Sequence, residues 1–418
     1  MEIRRVVITG LGAVTPVGNT VPLMWDSVVN GCSGAAPITL FDASKFKTQF
    51  ACEVKNFNPN EFIDAKSARK MGRFSQLAVC SAGEALRDSK LDLESENRDR
   101  IGCIYGVGVG GLKGYEDELI DYAKSIDEGP RFSPFFIPRM IPDICVGHIS
   151  IMYGLRGPNY VTAAACASSS VALIDSMNLI RLGKADVIVA GGSEAAVNIS
   201  GIGGFGAMKA ISTRNEDPEH ASRPFSKSRD GFVLGEGSAT LILEEYEHAV
   251  RRGAHIYAEL AGGGLSADAY HITAPDPDGA GALRVMQLAI EDAGISPSDV
   301  DYINVHGTST PLGDVAEVRA IQTLFGDHAY DLSISSTKSM TGHLLGGAGA
   351  LEAAISALAI EHGIVPPTIN HADDDIDENF DNKLNFTFNV AQRRDIRVAI
   401  SNTFGFGGHN ASVILKKI

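Results

Sequence analysis

Short apolar runs alternate along the chain with longer segments in which apolar residues recur every three or four positions. Runs such as "RRVVITGLGAV" and "DVIVAGGSEA" are rich in Val and Ile, which is typical of buried strands, whereas "SSSVALIDSMNLI" places its apolar residues on one helical face. The first run breaks at Gly10 and Gly12, so we expect a strand followed by a turn there rather than a signal peptide. Strands alternating with helices predict an α/β protein with covered sheets.

Five strand-like units occur twice, in the same order. The pairs are "RVVITGLGAV" and "IYAELAGGGLSA", "RIGCIYGVGVGG" and "VDYINVHGTST", "NYVTAAACASSS" and "LSISSTKSMTGH", "DVIVAGGSEA" and "RVAISNTFGFGG", and "GEGSATLILEEY" and "GHNASVILKKI". A repeated α/β unit predicts two pseudo-equivalent halves packed together, residues 1–254 and residues 255–418. The joint after "EYEHAVRRGA" is too short for a flexible linker.

Composition narrows the class of protein. The 418 residues are 44% hydrophobic and 21% charged, as in ordinary globular proteins, and the chain lacks the ~18-residue apolar run of a membrane-spanning helix. The net charge of −15 disfavours nucleic acid and anionic membranes as partners. The six cysteines form no C-x-x-C pair, which argues against a disulfide framework or a zinc site and favours a cytoplasmic location.

One cysteine lies among the smallest side chains, in "VTAAACASSS". Cys166 follows a predicted strand and precedes a predicted helix, where the helix dipole is expected to lower the pKa of a thiol from its free value of ~8.5. Small neighbours leave the sulfur open to a bulky acyl substrate. We therefore interpret Cys166 as a nucleophile and the other five cysteines as structural core residues.

Polar residues of the second half are predicted to converge on the same place. Ligands of α/β sheets bind beyond the carboxyl ends of strands. His306 ends the strand "DYINVHG", and His343 lies in the loop that corresponds to the Cys166 loop. Either histidine alone is best interpreted as a half-buried structural residue, but two histidines and a thiol together predict a site in which neutral imidazoles stabilise an enolate. Lys338 is expected to orient groups by hydrogen bonding, with Glu352 as its partner.

Glycines near the C-terminus leave backbone N–H groups unobstructed. "GFGGHN" therefore suits an oxyanion hole, and Phe404 and Phe406, which flank Gly405, form either a tight turn or a mobile aromatic gate. Two other patterns are weak. "GVGVGG" fits a dinucleotide fingerprint but lacks an acidic ribose anchor. His306, His343 and His409 lack the spacing of metal ligands, so we expect no catalytic metal.

Four segments carry a resemblance to a known family. "TAAACASSS", "VHGTSTPLGD", "STKSMTGHLLGGAGALE" and "SNTFGFGGHN" resemble the β-ketoacyl-acyl-carrier-protein synthases, the condensing enzymes of fatty acid synthesis, and the similarity extends over essentially the whole chain. One Cys with two His resembles the elongating rather than the initiating synthases, and "IMYGLRGP" is closest to the second elongating type. The resemblance implies a thiolase-like fold, with two βαβαβ-type halves in α/β/α/β/α layers.

The resemblance also implies a ping-pong reaction that requires no metal or redox cofactor. An acyl chain passes from the phosphopantetheine arm of an acyl carrier protein to Cys166. Malonyl-carrier protein then loses CO₂ while His306 and His343 stabilise the enolate, and the carbanion attacks the acyl thioester. The N–H groups of Cys166 and Phe404 hold the thioester oxygen, and the product is a β-ketoacyl chain two carbons longer.

Further expectations concern the substrate and the partners. Phe404 gates an acyl pocket lined by Phe205 and Val109, Thr308 and Thr310 hold the phosphopantetheine arm, and the enzyme is a homodimer. Two alternatives are a chain-length partner without a nucleophile, against which the Cys-His-His set argues, and a thiolase, which would have a second cysteine near "GFGGHN".

A basic stripe in "DAKSARKMGRF" is predicted to bind the acidic carrier protein. Lys66, Arg69, Lys70 and Arg73 are spaced i, i+3, i+4 and i+7, which places them on one face of a helix. Such a stripe is usually a solvated face. With the family resemblance we expect a docking surface, extended by Arg131 and Lys209.

Overall fold

The structure is a computed structural model that describes residues 3–418. Its strands are β1 (Val6–Val14), β2 (Ala36–Pro37), β3 (Phe50–Ala51), β4 (Ile101–Gly106), β5 (Asn159–Thr162), β6 (Val187–Glu194), β7 (Gly237–Glu245), β8 (Ala258–Ala267), β9 (Tyr302–Asn304), β10 (Ser333–Ser335), β11 (Ile364–Val365), β12 (Gln392–Arg393), β13 (Val398–Gly405) and β14 (His409–Lys416). Its α-helices are α1 (Val21–Val29), α2 (Ala65–Ala68), α3 (Arg73–Ser89), α4 (Leu112–Lys124), α5 (Phe136–Met140), α6 (Ile144–Tyr153), α7 (Ser168–Arg181), α8 (Ile199–Ala207), α9 (Tyr246–Arg251), α10 (Ala280–Asp292), α11 (Gly313–Phe325), α12 (Lys338–Thr341) and α13 (Ala348–His362).

The ten main strands form one mixed sheet in the order β10-β9-β13-β14-β8-β1-β7-β6-β4-β5. Its centre is a narrow seam, because β1 and β8 pair only through Val7 with Glu259 and Ile8 with Ala258. From this seam the strands run outward as β1-β7-β6-β4-β5 on one side and as β8-β14-β13-β9-β10 on the other. The sheet order therefore confirms the five repeated strand pairs. The boundary predicted after residue 254 falls between α9 and β8 and stays a prediction.

The two halves of the sheet enclose a layer of helices. α7 packs against β4 and β6 of its own half and against β14 and β8 of the other, and α13 likewise contacts β13 and β14 as well as β6 and β7. α3 covers the outer face of the first half, and α10, with α11 beside it, covers the outer face of the second. This arrangement is the layered α/β/α/β/α fold that the resemblance implied.

The helices of the central layer are largely buried, α13 on all sides and α7 on all but one face. Every residue of α13 from Ala348 to Ile360 is buried. On α7, Ser170 and Ser176 are as buried as Leu173 and Met177, so the single apolar face expected for this helix accounts for only part of its contacts. Small Ala and Ser side chains let a helix fit between two sheets.

Gly10 and Gly12 do not form the turn that we expected. Both lie within β1, where a Cβ atom at Gly10 would be 2.4 Å from the carbonyl oxygen of Ala85 and one at Gly12 would be 2.0 Å from that of Ser81. The glycines are therefore explained by the close approach of α3 to the strand, since any side chain there would collide with the helix backbone.

Two further expectations concern the whole chain. No helix within residues 3–418 is both long and apolar enough to cross a membrane. All six cysteines are free, but Cys32 is exposed, so the core position expected for it is wrong, whereas Cys52, Cys80, Cys103 and Cys145 are buried as expected.

Candidate active site

Cys166 lies in a sharp turn between β5 and α7. Ala165 has a φ of +48°, and its carbonyl oxygen accepts a hydrogen bond from Ser168 Oγ at 2.6 Å. A Cβ atom at Gly405 would lie 3.0 Å from the Cys166 nitrogen, so the neighbouring strand also has to be small at this point. The small residues around the thiol therefore permit the tight packing of this loop.

The thiol of Cys166 contacts His343. Its Sγ lies 3.1 Å from His343 Nε2. Burial raises the pKa of the Cys166 thiol to about 12, opposed by the charge of Lys338 and by the N–H of Phe406. This direction is opposite to the one we expected from the helix dipole, because desolvation of a buried thiolate outweighs it. The resting thiol is therefore protonated and lies within hydrogen-bonding distance of His343 Nε2.

His306 and His343 stand edge to face, with ring centroids 5.2 Å apart and an interplanar angle of 85°. Burial and the charge of Lys338 hold the pKa of both imidazoles well below the usual range. Both rings are therefore neutral at physiological pH, and each presents one donor and one acceptor nitrogen. Neutral imidazoles are the species that we expected at this site.

Glu317 fixes the backbone that carries His306. Its carboxylate, on α11, accepts hydrogen bonds from the N–H groups of His306 at 2.9 Å and Gly307 at 2.8 Å, and from Asn402 Nδ2 at 3.2 Å. Glu317 is 1% exposed, and burial raises its pKa to about 7. Glu317 was not among the predicted site residues, although an acid among the apolar residues of "AEVRAIQTLF" is a usable signal.

The structure brings Lys338 and Glu352 together as expected. Lys338 Nζ donates to Glu352 Oε1, and the two side chains are 2% and 3% exposed. Burial raises the pKa of Glu352 to about 7, against the influence of Lys338. Because Lys338 contacts a carboxylate and influences the thiol and both imidazoles through its charge, it fits an orienting role.

A cavity of about 430 Å³ lies over the thiol. The predicted residues that line it are Cys166, His306, His343, Thr308, Thr310, Phe205, Phe404 and Lys209. The Oγ1 atoms of Thr308 and Thr310 are 3.0 Å apart. Within the described part of the chain, Val109 does not line the cavity but packs against the apolar cluster that contains Cys166. Glu352 does not line the cavity either, and its carboxylate accepts a hydrogen bond from Lys338.

The two phenylalanines of the "GFGG" segment differ in their contacts. The ring of Phe404 lies 5.7 Å from the ring of His306, whereas the ring of Phe406 lies 6.4 Å from the ring of Phe205. Of the residues in this segment, it is Phe406 whose N–H lowers the pKa of the Cys166 thiol. This influence on the thiol favours Phe406 over Phe404 as the amide donor, and the gating role of Phe404 stays a prediction.

The basic stripe does not lie on one helix. α2 ends at Ala68, and a new helix begins at Arg73, so the continuous helical face that we predicted is wrong. Arg73 is bound to the buried carboxylate of Glu236 by two hydrogen bonds of 2.7 and 2.6 Å and is therefore structural. The remaining candidates are exposed: Lys66, Arg69, Lys70, Arg131 and Lys209.

His409 does not join the other two histidines. It begins β14 and is exposed, and it is absent from the cavity wall formed by His306 and His343. Across residues 3–418, no group of three or more His, Cys, Asp or Glu side chains is placed to hold a metal ion.

Comparison with known proteins agrees with this fold. The family model for the beta-ketoacyl synthase N-terminal domain matches residues 3–249, and the model for the C-terminal domain matches residues 257–372. The chain therefore belongs to the β-ketoacyl synthase family. It is a condensing enzyme of the acyltransferase class.

Individual relatives cover the full length of the chain. It is 49% identical to the 3-oxoacyl-[acyl-carrier-protein] synthase 2 of Synechocystis sp., over 100% of this chain and 99% of that one, and 50% identical to the protein of the same name from Coxiella burnetii, over 100% of both. A solved ketosynthase in complex with its type II polyketide acyl-carrier protein is 34% identical, with a TM-score of 0.92 and full coverage of both chains. A β-ketoacyl synthase from Burkholderia phymatum is 35% identical, with a TM-score of 0.90, over 99% of this chain and 100% of that one.

Proposed function

We propose that this enzyme lengthens a fatty acyl chain by two carbons, taking both the acyl and the malonyl group from acyl carrier protein. The observation that carries the proposal is the contact of 3.1 Å between Cys166 Sγ and Nε2 of a neutral His343, on a cavity that His306 also lines. A thiol, a neutral base and a second neutral imidazole are the groups that acyl transfer and enolate formation require.

In the first step Cys166 takes the acyl group. Sγ attacks the thioester carbonyl of the acyl carrier protein, its proton passes to His343 Nε2, and the proton then moves to the leaving phosphopantetheine thiolate. The N–H groups of Cys166 and Phe406, both of which lower the pKa of the thiol, are assigned to stabilise the oxyanion of the tetrahedral intermediate. This role replaces the one expected for Phe404.

In the second step the malonyl thioester loses CO₂. The electrons of the broken carbon–carbon bond pass into an enolate, whose oxygen receives hydrogen bonds from the neutral imidazoles of His306 and His343, the latter in the tautomer that carries its proton on Nε2. The enolate carbon attacks the acyl group on Cys166, a carbon–carbon bond forms, and the Cys166 thiolate leaves and is reprotonated. Because decarboxylation supplies the carbanion, the proposal includes no metal or redox cofactor.

The substrate reaches the site on a flexible arm. We assign Thr308 and Thr310, whose hydroxyls lie 3.0 Å apart on the cavity wall, to the phosphopantetheine. The exposed lysines and arginines at 66, 69, 70, 131 and 209 are assigned to the acidic carrier protein, without Arg73. We also retain the cytoplasmic location, since the free thiols of the chain suit a reducing compartment.

A homodimer is also part of the proposal, and the edge of the sheet supports it. β5 is the last strand of the sheet and pairs only with β4, and its Tyr160 is 36% exposed. Nearby on α6, Ile151 is 83% exposed. An uncovered edge beside exposed apolar residues suits pairing with a second copy about a twofold axis. In sedimentation experiments Ile151→Asp is expected to dissociate the dimer, whereas Val390→Asp, at a site that is 70% exposed and remote in sequence, is not.

The function is tested by incubating the protein with acyl carrier protein that bears a saturated acyl chain and measuring its intact mass. The native protein is expected to gain one acyl group, and Cys166→Ala is expected to gain none. Cys32→Ala serves as the matched control, because Cys32 is the exposed thiol. An acyl adduct that persists in Cys166→Ala would refute the assignment of the nucleophile.

A further inference from the structure

A third buried carboxylate, besides Glu317 and Glu352, lies close to the site, and the proposed reaction makes no use of it. Glu194, the last residue of β6, is fully buried. Its Oε1 accepts hydrogen bonds from the N–H groups of Gly108 at 2.9 Å, Val109 at 2.9 Å and Gly110 at 3.2 Å, and its Oε2 accepts a further bond from Val109 at 3.2 Å. Three successive amides directed at one anion form a nest.

The nest gives "GVGVGG" a structural meaning. Glycine-rich loops of this pattern use their N–H groups to bind phosphate in nucleotide-binding proteins. Here those N–H groups are occupied by a carboxylate of the same chain, and Gly110, with a φ of +67°, supplies the backbone conformation that the nest needs. The Gly108–Gly110 segment is therefore fixed by the buried side chain of Glu194.

The segment held by Glu194 lies between the two catalytic loops. A Cβ atom at Gly108 would be 3.2 Å from the carbonyl oxygen of Ala165, which precedes the nucleophile, and one at Gly346, three residues beyond His343, would be 2.3 Å from the Gly108 nitrogen. Such close approach means that any displacement of the Gly108–Gly110 segment must be transmitted to both loops.

The same segment also carries an apolar side chain toward the substrate region. Val109, like Phe205, packs against the buried cluster that includes Cys166 and Leu345. Phe205 and Leu345 line the cavity over the thiol. We expect a shift of Val109 to be passed through this apolar cluster to Leu345 and Phe205, which border the space above Cys166.

We propose that Glu194 is a positioning residue for the condensation, whose carboxylate fixes the Gly108–Gly110 segment against the loops of Cys166 and His343 and thereby sets the selectivity for acyl chain length. This inference rests on the proposed function. It assigns Glu194 no contact with the substrate.

The test compares variants of Glu194 in the full-length enzyme. Glu194→Ala removes all four hydrogen bonds, whereas Glu194→Gln can keep the three that converge on Oε1. Acylation rates are measured by intact mass with carrier proteins bearing short, medium and long saturated chains. For Glu194→Ala the ratio between the preferred and the least preferred chain length is expected to fall about tenfold, and Glu194→Gln is expected to restore most of that ratio.

Glu84 provides the matched control. It is also a carboxylate that accepts two backbone N–H bonds, from Ala13 and Val21 at 2.8 Å each, but it does not line the cavity. Glu84→Ala is therefore expected to lower stability while keeping the chain-length ratio. If Glu194→Ala does not fold, Glu194→Asp decides the question, because its shorter side chain keeps the charge but cannot reach all three amides.

The results distinguish failure of the proposed function from failure of the role assigned to Glu194. If the native enzyme forms no acyl adduct at Cys166, the proposed function itself fails. If the native enzyme is acylated but folded variants of Glu194 keep its chain-length ratio, or Glu84→Ala alters that ratio equally, the role assigned to Glu194 is overturned.

Discussion

His343 holds its Nε2 3.1 Å from the sulfur of Cys166, while its ring stands nearly perpendicular to that of His306. The two histidines are therefore not equivalent, although both are neutral and line the same cavity. Among them it is His343 that contacts the thiol and can accept its proton. The ring of His306 lies 5.7 Å from that of Phe404, and its proposed role is confined to the enolate of the second substrate.

Alanine variants of the two histidines are expected to separate the half-reactions. His343→Ala is expected to slow both acylation of Cys166 and decarboxylation of malonyl-carrier protein, each by ~10²-fold or more, because it removes the proton acceptor and an enolate donor. His306→Ala is expected to slow decarboxylation alone by a similar factor. Acylation is followed by intact mass and decarboxylation by release of labelled CO₂. Equal loss of acylation in both variants would contradict this division of roles.

The buried ion pair between Lys338 and Glu352 gives a second prediction. Removing one partner of a buried pair leaves the other charge uncompensated, so Lys338→Met is expected to cost ~3–5 kcal/mol of unfolding free energy. The double variant Lys338→Met with Glu352→Leu is expected to recover most of that stability, since apolar residues can replace a buried pair.

Activity should not recover with stability. The charge of Lys338 acts on Cys166 and on both histidines, and the double variant lacks it. Denaturant unfolding together with condensation assays measures the two quantities separately. A double variant with native activity would show that Lys338 serves only the fold.

Charge reversal distinguishes the docking residues from the structural arginine. Arg69→Glu with Lys70→Glu is expected to raise KM for acyl carrier protein severalfold and to leave the reaction with a small acyl thioester unchanged. Arg73→Glu is expected instead to destabilise the fold by ~3 kcal/mol or more, because it places a second acid beside buried Glu236. Equal loss of activity on both substrates for the first variant would remove Arg69 and Lys70 from the docking surface.

The sequence was a good guide to the order of the strands and to the reactive residues. The repeat predicted which strands correspond because each half has to bury the same succession of apolar runs. Cys166, His306 and His343 could be placed together because they follow strands whose carboxyl ends meet at one edge of the fold. These inferences need only the topology, which the apolar pattern determines.

Features that depend on three-dimensional packing could not be predicted. The dipole of α7 is evident from the sequence, but the desolvation that raises the pKa of Cys166 is not. The glycines of "GFGG" indicate that N–H groups are unobstructed there, but they do not indicate which N–H group acts on the thiol of Cys166. That group belongs to Phe406, the first residue after β13, which ends at Gly405. The helical spacing of the basic stripe continues through Arg69, but α2 ends at Ala68. The carboxylate that binds Arg73 belongs to Glu236, which is 163 residues away in the sequence.

Buried carboxylates predict a dependence of stability on pH. Burial raises the pKa of Glu84 in the folded protein to about 7, from 4.5 in an exposed chain. Because the folded state then holds the proton more tightly, this contribution to stability is fully present below about pH 4.5 and is lost as the pH rises through about 7. Glu84→Gln is therefore expected to flatten the fall in Tm across this window. Glu216→Gln, at an exposed acid, is the control, and an identical slope in the Glu84 variant would contradict the assignment.

The contact between β1 and α3 leads to a prediction for Gly12, and Gly204, at which a Cβ atom would meet no other atom, provides the contrast. At Gly12 a Cβ atom would lie 2.0 Å from the Ser81 carbonyl oxygen and 2.7 Å from the Ala85 nitrogen, both backbone atoms that cannot rotate away. Gly12→Ala is therefore expected to lower the free energy of unfolding by ~1–3 kcal/mol, as overpacking does. Gly204, within α8, has no atom within 4 Å of the corresponding position.

Gly204→Ala is accordingly expected to raise the free energy of unfolding by ~0.5–1 kcal/mol, because alanine loses less conformational entropy in a helix. Urea unfolding of both variants measures the difference. A Gly12→Ala protein as stable as the parent would mean that α3 can move away from β1, and that the glycines of the first strand are not required by this helix contact.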